Sequence, residues 1–88
     1  MQTAPALTLD RLPVGNSARV AAVDWDALVP EEARRLRELG LFEGVEVEAL
    51  YRGSMLFRDP LAVRIGRMQF MMRAVHAHAI RLEAAPQS

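Results

Sequence analysis

The 88-residue chain has no cysteine, no lysine, two histidines and a single tryptophan. Without cysteine it can form no disulfide and no thiolate metal site. No run of about 18 apolar residues occurs, so no segment is long enough to span a membrane as a helix. The opening M-Q-T-A-P-A-L-T-L-D lacks the basic start and apolar run of a secretion signal. These absences lead us to expect a soluble, cytoplasmic protein with no direct membrane insertion.

Catalytic groups are equally scarce. The serines are Ser17, Ser54 and Ser88, and the histidines are His76 and His78. A nucleophile needs a base within hydrogen-bond reach, and no spacing here pairs the two. Gly40 and Gly44 are not followed by the Lys-Ser or Lys-Thr of a phosphate loop. We therefore expect no enzyme, no catalytic residue and no cofactor.

What is present is apolar residue in quantity: 51% of the chain, with 25% charged residues and a formal net charge of zero. That mixture supports one folded domain. A chain this short buries roughly 60–65% of its unfolded surface, enough for one small core. The zero net charge hides an asymmetry. Residues 1–50 carry five arginines and nine acids, whereas residues 51–88 carry six arginines and two acids. Arg52, Arg58, Arg64 and Arg67 in the basic half raise nucleic acid as a ligand. Readers of nucleic acid combine a basic domain with stacking aromatics. Here net charge is zero and aromatics make up 6% of residues, so no nucleic acid is expected.

The strongest local signal is the segment from Leu36 to Val47, L-R-E-L-G-L-F-E-G-V-E-V. Before Gly40 the apolar residues Ala33, Leu36 and Leu39 keep a helical period. After Gly44, Val45, Val47, Ala49 and Tyr51 alternate with Glu46, Glu48 and Arg52, leaving Leu50 on the polar side. Such a change of period marks a helix stopped by a left-handed cap and then a turn into a strand. Pro30 suits the first helical position, with Glu31 and Glu32 in the first turn. Glu31 and Arg35, four apart, form a favourable pair.

The remaining pattern gives strands over Ser17–Val23, Gly44–Arg52, Leu61–Ile65, Met68–Met72 and Ala79–Glu83. Gly66-Arg67 suits a two-residue hairpin turn, Thr8 can cap a short turn through Leu12, and Arg73–His78 can form one or two helical turns. The expectation is a mainly β fold with added helices: a small SH3-like barrel of about five strands, one main helix over about 30–39 and a short C-terminal helical turn. An open α+β sheet would read almost the same.

Four pieces of the chain, in order, resemble one family. These are L-D-R-L-P-V-G (Leu9–Gly15), R-R-L-R-E-L-G-L-F-E-G-V-E-V (Arg34–Val47), Asp59-Pro60 followed by L-A-V-R-I, and R-A-V-H-A-H-A-I-R-L (Arg73–Leu82). Together they are similar to FeoA, the small ferrous iron transport protein A, over about residues 7–84, with 1–6 and 85–88 as loose termini. The resemblance implies an SH3-like domain that binds the cytosolic region of a FeoB-type GTP-binding ferrous iron transporter and modulates it. Similar domains end metal-dependent repressors, which leaves as alternatives a stand-alone interaction module of that kind or a small barrel that binds nucleic acid. One departure is the methionine-rich Met68-Gln69-Phe70-Met71-Met72.

Two places offer apolar side chains for a partner. They are the bend at Leu41 and Phe42, and the stretch Met55, Leu56 and Phe57, with Arg58 at its rim. For metal, the candidates are His76 and His78. They are two apart, so a helix would point them to different sides, and a borderline cation such as Fe(II) favours a carboxylate in addition to imidazoles. No metal site is expected, and homo-oligomerisation is left open.

Overall fold

The structure, a computed structural model, describes residues 7–53 and 59–83. Its elements are β1 (Leu7–Thr8), a 3₁₀ turn (Leu9–Arg11), β2 (Ser17–Val23), a second 3₁₀ turn (Trp25–Ala27), α1 (Pro30–Glu38), β3 (Glu46–Arg52), β4 (Leu61–Ile65), β5 (Met68–Met72), α2 (Ala74–Ala77) and β6 (Ile80–Leu82). The strands form one antiparallel sheet in the order β1-β6-β2-β3-β4-β5. The fold is thus mainly β with two helices. The five expected strands are all present. The sixth, β1, is a two-residue pairing of Leu7 with Leu82 and Thr8 with Arg81, too short to leave a period in the sequence.

The sheet curls because β2 is shared. Its first half, Ser17–Arg19, pairs with β3, and its second half, Val20–Val23, pairs with β6. A register shift between Val20 and Ala22 marks the place where it changes partner. A second bulge lies on β3 between Ala49 and Tyr51. Bulges bend a strand and increase its twist, which lets a short sheet wrap a core.

The β3 bulge corrects one expectation. Simple alternation would turn Tyr51 inward with Val47 and Ala49. Leu50 is instead the extra residue, opposite no partner on β4, and the face flips after it. Tyr51 is 53% exposed, while Val47 and Ala49 are fully buried.

Inside the curl lie Val20, Val47, Val63 and Ile80 from the strands, with Leu36 and Ala33 of α1 packed on them. α1 begins as its residues dictate, with Pro30 at the first position and Glu31 and Glu32 in the first turn. Trp25 closes one side and carries the Arg37 guanidinium 4.1 Å from its ring centroid, a geometry in which cation and ring attract. Glu48 of the acidic half pairs with Arg64 of the basic half across the sheet, which offsets part of the charge asymmetry, and Arg19 lies 4.0 Å from Glu83.

Candidate functional site

The two-glycine corner has the cap geometry its pattern suggests. Leu39 ends α1, Gly40 follows with φ of 101°, and Gly44 has φ of 96°. The Gly40 N–H donates to the Arg37 carbonyl at 3.0 Å and the Leu41 N–H donates to the Leu36 carbonyl at 2.9 Å. This is the 6→1 and 5→2 pairing of a Schellman motif. That motif places the residue after the glycine against the third residue from the helix end, and here these are Leu41 and Leu36. Both are buried, at 1% and 0% exposure.

Leu41, expected on an exposed bend, is therefore a core residue. The cap itself was the signal that would have placed it inside. Phe42, next in sequence, is 47% exposed. The corner sits against the β4–β5 hairpin, since a Cβ on Gly40 would lie 3.7 Å from Ile65 Cγ2. Met68, directly across the hairpin from Ile65, is 48% exposed. Phe42 and Met68 thus give this end of the molecule two exposed apolar side chains. Met55, Leu56, Phe57 and Arg58 lie outside the described residues.

A second locus, missed in the sequence, joins α1 to β5 and α2. Glu32 rather than Glu31 pairs with Arg35. The guanidinium forks onto it, Nε to Oε1 at 3.1 Å and Nη2 to Oε2 at 3.0 Å. The Arg35 hydrogen bond, opposed by burial, holds the Glu32 carboxyl below its ordinary range, with smaller help from the charges of Arg35 and His76. Arg35 Nη2 also donates to the Met71 carbonyl at 3.0 Å, and its guanidinium lies 5.8 Å from the Phe70 ring centroid. Glu32 and Arg35 lie on the side of α1 that faces β5, which three-residue spacing could have indicated as readily as four.

The histidines separate as a helix would separate them. His76 Nδ1 stands 3.4 Å from Glu32 Oε2. The two atoms are close, yet their geometry makes no hydrogen bond, and His76 Nδ1 is buried without a hydrogen-bond partner. His78 Nδ1 lies 3.3 Å from Asp10 Oδ2 on the other side of α2. Among the described residues no three metal-ligating side chains gather at one point. Glu32, Arg35, Pro60, Met71, Met72, Arg73 and His76 line a cavity of about 160 Å³. Arg73 approaches Asp59 at 4.0 Å, and Asp59 Oδ1 accepts the Ala74 N–H at 2.6 Å, fixing the start of α2.

With this geometry in view, the FeoA domain model matches residues 7–84. The chain belongs to the FeoA family. It is similar to FeoA of Stenotrophomonas maltophilia, solved with zinc and described as an SH3-domain protein, with 36% identity and a TM-score of 0.72. That match covers 89% of this chain and 91% of the other. FeoA of Chlorobium tepidum is 32% identical with a TM-score of 0.73, over 92% of this chain and 74% of that one. A manganese-dependent transcriptional repressor shares the fold at 23% identity and a TM-score of 0.74, over 96% of this chain and 44% of the repressor. No curated protein matches the sequence. The fold of this chain thus occurs in a FeoA protein over nearly its whole length and as less than half of a larger transcriptional repressor.

Proposed function

We propose that this protein is a cytoplasmic accessory of ferrous iron uptake that binds the cytosolic region of a FeoB-type GTP-binding transporter and modulates it. The observation that carries this reading is the FeoA match across residues 7–84, together with 36% identity to a FeoA suggested to act as a ferrous iron transport activating factor. On this reading the chain acts by binding rather than by catalysis. Phe42, exposed beside a rigid helix cap, supplies an apolar contact, and Met55, Leu56, Phe57 and Arg58 are proposed from the sequence alone as further partner residues. Exposed aromatic and aliphatic residues anchored on a rigid frame are the groups that interfaces use. Among the described residues no helix is long and apolar enough to cross a membrane.

The test is uptake of radiolabelled Fe(II) by cells that keep the transporter and lose this chain. Altered uptake, restored by the wild-type gene and not by a Phe42→Asp variant that folds normally, is the expected outcome. Uptake that is indifferent to the deletion would overturn the reading.

A further inference from the structure

We infer that β5 is an addition site for an extended, acid-flanked segment of another protein. The inference does not depend on which protein supplies the segment. Among the described residues β5 is an outer strand of the sheet, paired with β4 alone. Gly66-Arg67 is a two-residue turn, so Ile65 and Met68 form a hydrogen-bonded pair, and pairing then alternates along the strands. Met68, Phe70 and Met72 direct their backbone groups at β4. Gln69 and Met71 direct theirs at the open edge. Among the described residues the one group that meets this edge is Arg35, through its bond to the Met71 carbonyl.

Two further features say what fits there. The first is charge. Arg67 precedes β5 and Arg73 follows it, six residues apart, a span of about 20 Å in extended chain. Both are exposed; Arg67 makes no ion pair with any described residue, and Arg73, its side chain 70% exposed, has Asp59 at 4.0 Å. A second copy of this chain is disfavoured on the same ground. Antiparallel self-pairing centred on Phe70, the register of greatest overlap, would set Arg67 against Arg73 at both ends. Like charges directly opposite are destabilising, and guarding an edge with charge is how sheets avoid self-association. A segment with an acid at each end reverses that sign.

The second feature is the cavity of about 160 Å³ beside Met71 and Met72. It is smaller than the roughly 300 Å³ at which small-molecule pockets begin, and it suits one aliphatic side chain. In strand addition, main-chain bonds give affinity and pockets for alternate side chains give specificity. The incoming backbone takes over the Met71 carbonyl. Arg35 then swings toward an acid of the segment while its Nε keeps Glu32.

The experiment is amide NMR of the whole chain with a blocked peptide of about seven residues. The peptide carries aspartate at each end, alternating valine and threonine between, and one leucine for the cavity. We expect saturable shifts and slowed exchange centred on the Gln69 and Met71 amides. An arginine-ended peptide should bind at least about ten-fold more weakly. Gln69→Pro should abolish binding while the sheet survives, because an edge strand tolerates proline where its N–H faces solvent. Should that variant unfold, Arg67→Glu/Arg73→Glu carries the test by reversing the preference between the two peptides. Shifts centred elsewhere, equal binding of both peptides, or concentration-dependent self-association through the same amides would overturn the proposal.

Discussion

Adjacent residues in this chain do opposite work, and the Leu41–Phe42 step is the sharpest case. Leu41 is 1% exposed and Phe42 is 47% exposed. Leu41→Ala should cost about 2–5 kcal/mol, since it removes a fully buried side chain and leaves a cavity. Phe42→Ala should change stability by no more than about 0.5 kcal/mol. Urea unfolding of the two variants checks this, and equal losses would contradict the burial assigned here. Gly53 makes a different demand. Its N–H donates to the Pro60 carbonyl at 2.9 Å, and an added Cβ would lie 2.7 Å from the Asp59 carbonyl carbon and 2.9 Å from Pro60 Cδ. The chain would have to part there, so Gly53→Ala should destabilise by about 1–3 kcal/mol. A midpoint unchanged from wild type would show that the two segments are less closely apposed.

Elements meet at Glu32, where α1 is tied to β5 through Arg35 and stands beside α2 at His76. The Glu32 carboxyl is held below the usual glutamate value of about 4.3, so the folded state binds its proton less readily than the unfolded chain does. The stabilisation is therefore present above about pH 4.3 and is lost as pH falls through the lower folded value. Glu32→Gln should be less stable than wild type at pH 7, and the gap should narrow below about pH 4. Thermal melts across pH 3–7 measure it, and a gap independent of pH would remove the Glu32–Arg35 pair as its source. Legibility in the sequence varied for physical reasons. α1, its cap, the β4–β5 hairpin and the strands on either side were readable because proline, glycine and apolar period act locally. The outward turn of Tyr51 was not, since a bulge depends on register with a strand ten residues on. Nor was the pairing of Glu32 with Arg35 in place of Glu31, because two spacings of similar energy compete on an isolated helix and only packing against β5 chooses. Of the expected partner residues, Phe42 kept its exposed place, and Leu41 lost it to the cap geometry.

As a whole, the described residues form a curled six-stranded sheet wrapped on one small core, with apolar and basic side chains left at one end and along one edge. The FeoA family match gives that surface a setting, and the FeoB-type transporter is the partner proposed for it. Removing exposed side chains should separate binding from folding. Phe42→Asp should keep the wild-type circular dichroism spectrum and weaken partner binding by at least about ten-fold. Unchanged affinity in this variant would move the interface away from the corner. The most direct measurement is a calorimetric titration of the purified chain into the isolated cytosolic domain of the transporter, nucleotide-free, GDP-bound and bound to a GTP analogue. Saturable binding in at least one of these states is the expected result. Heats of dilution alone in all three would contradict a FeoB-type partner.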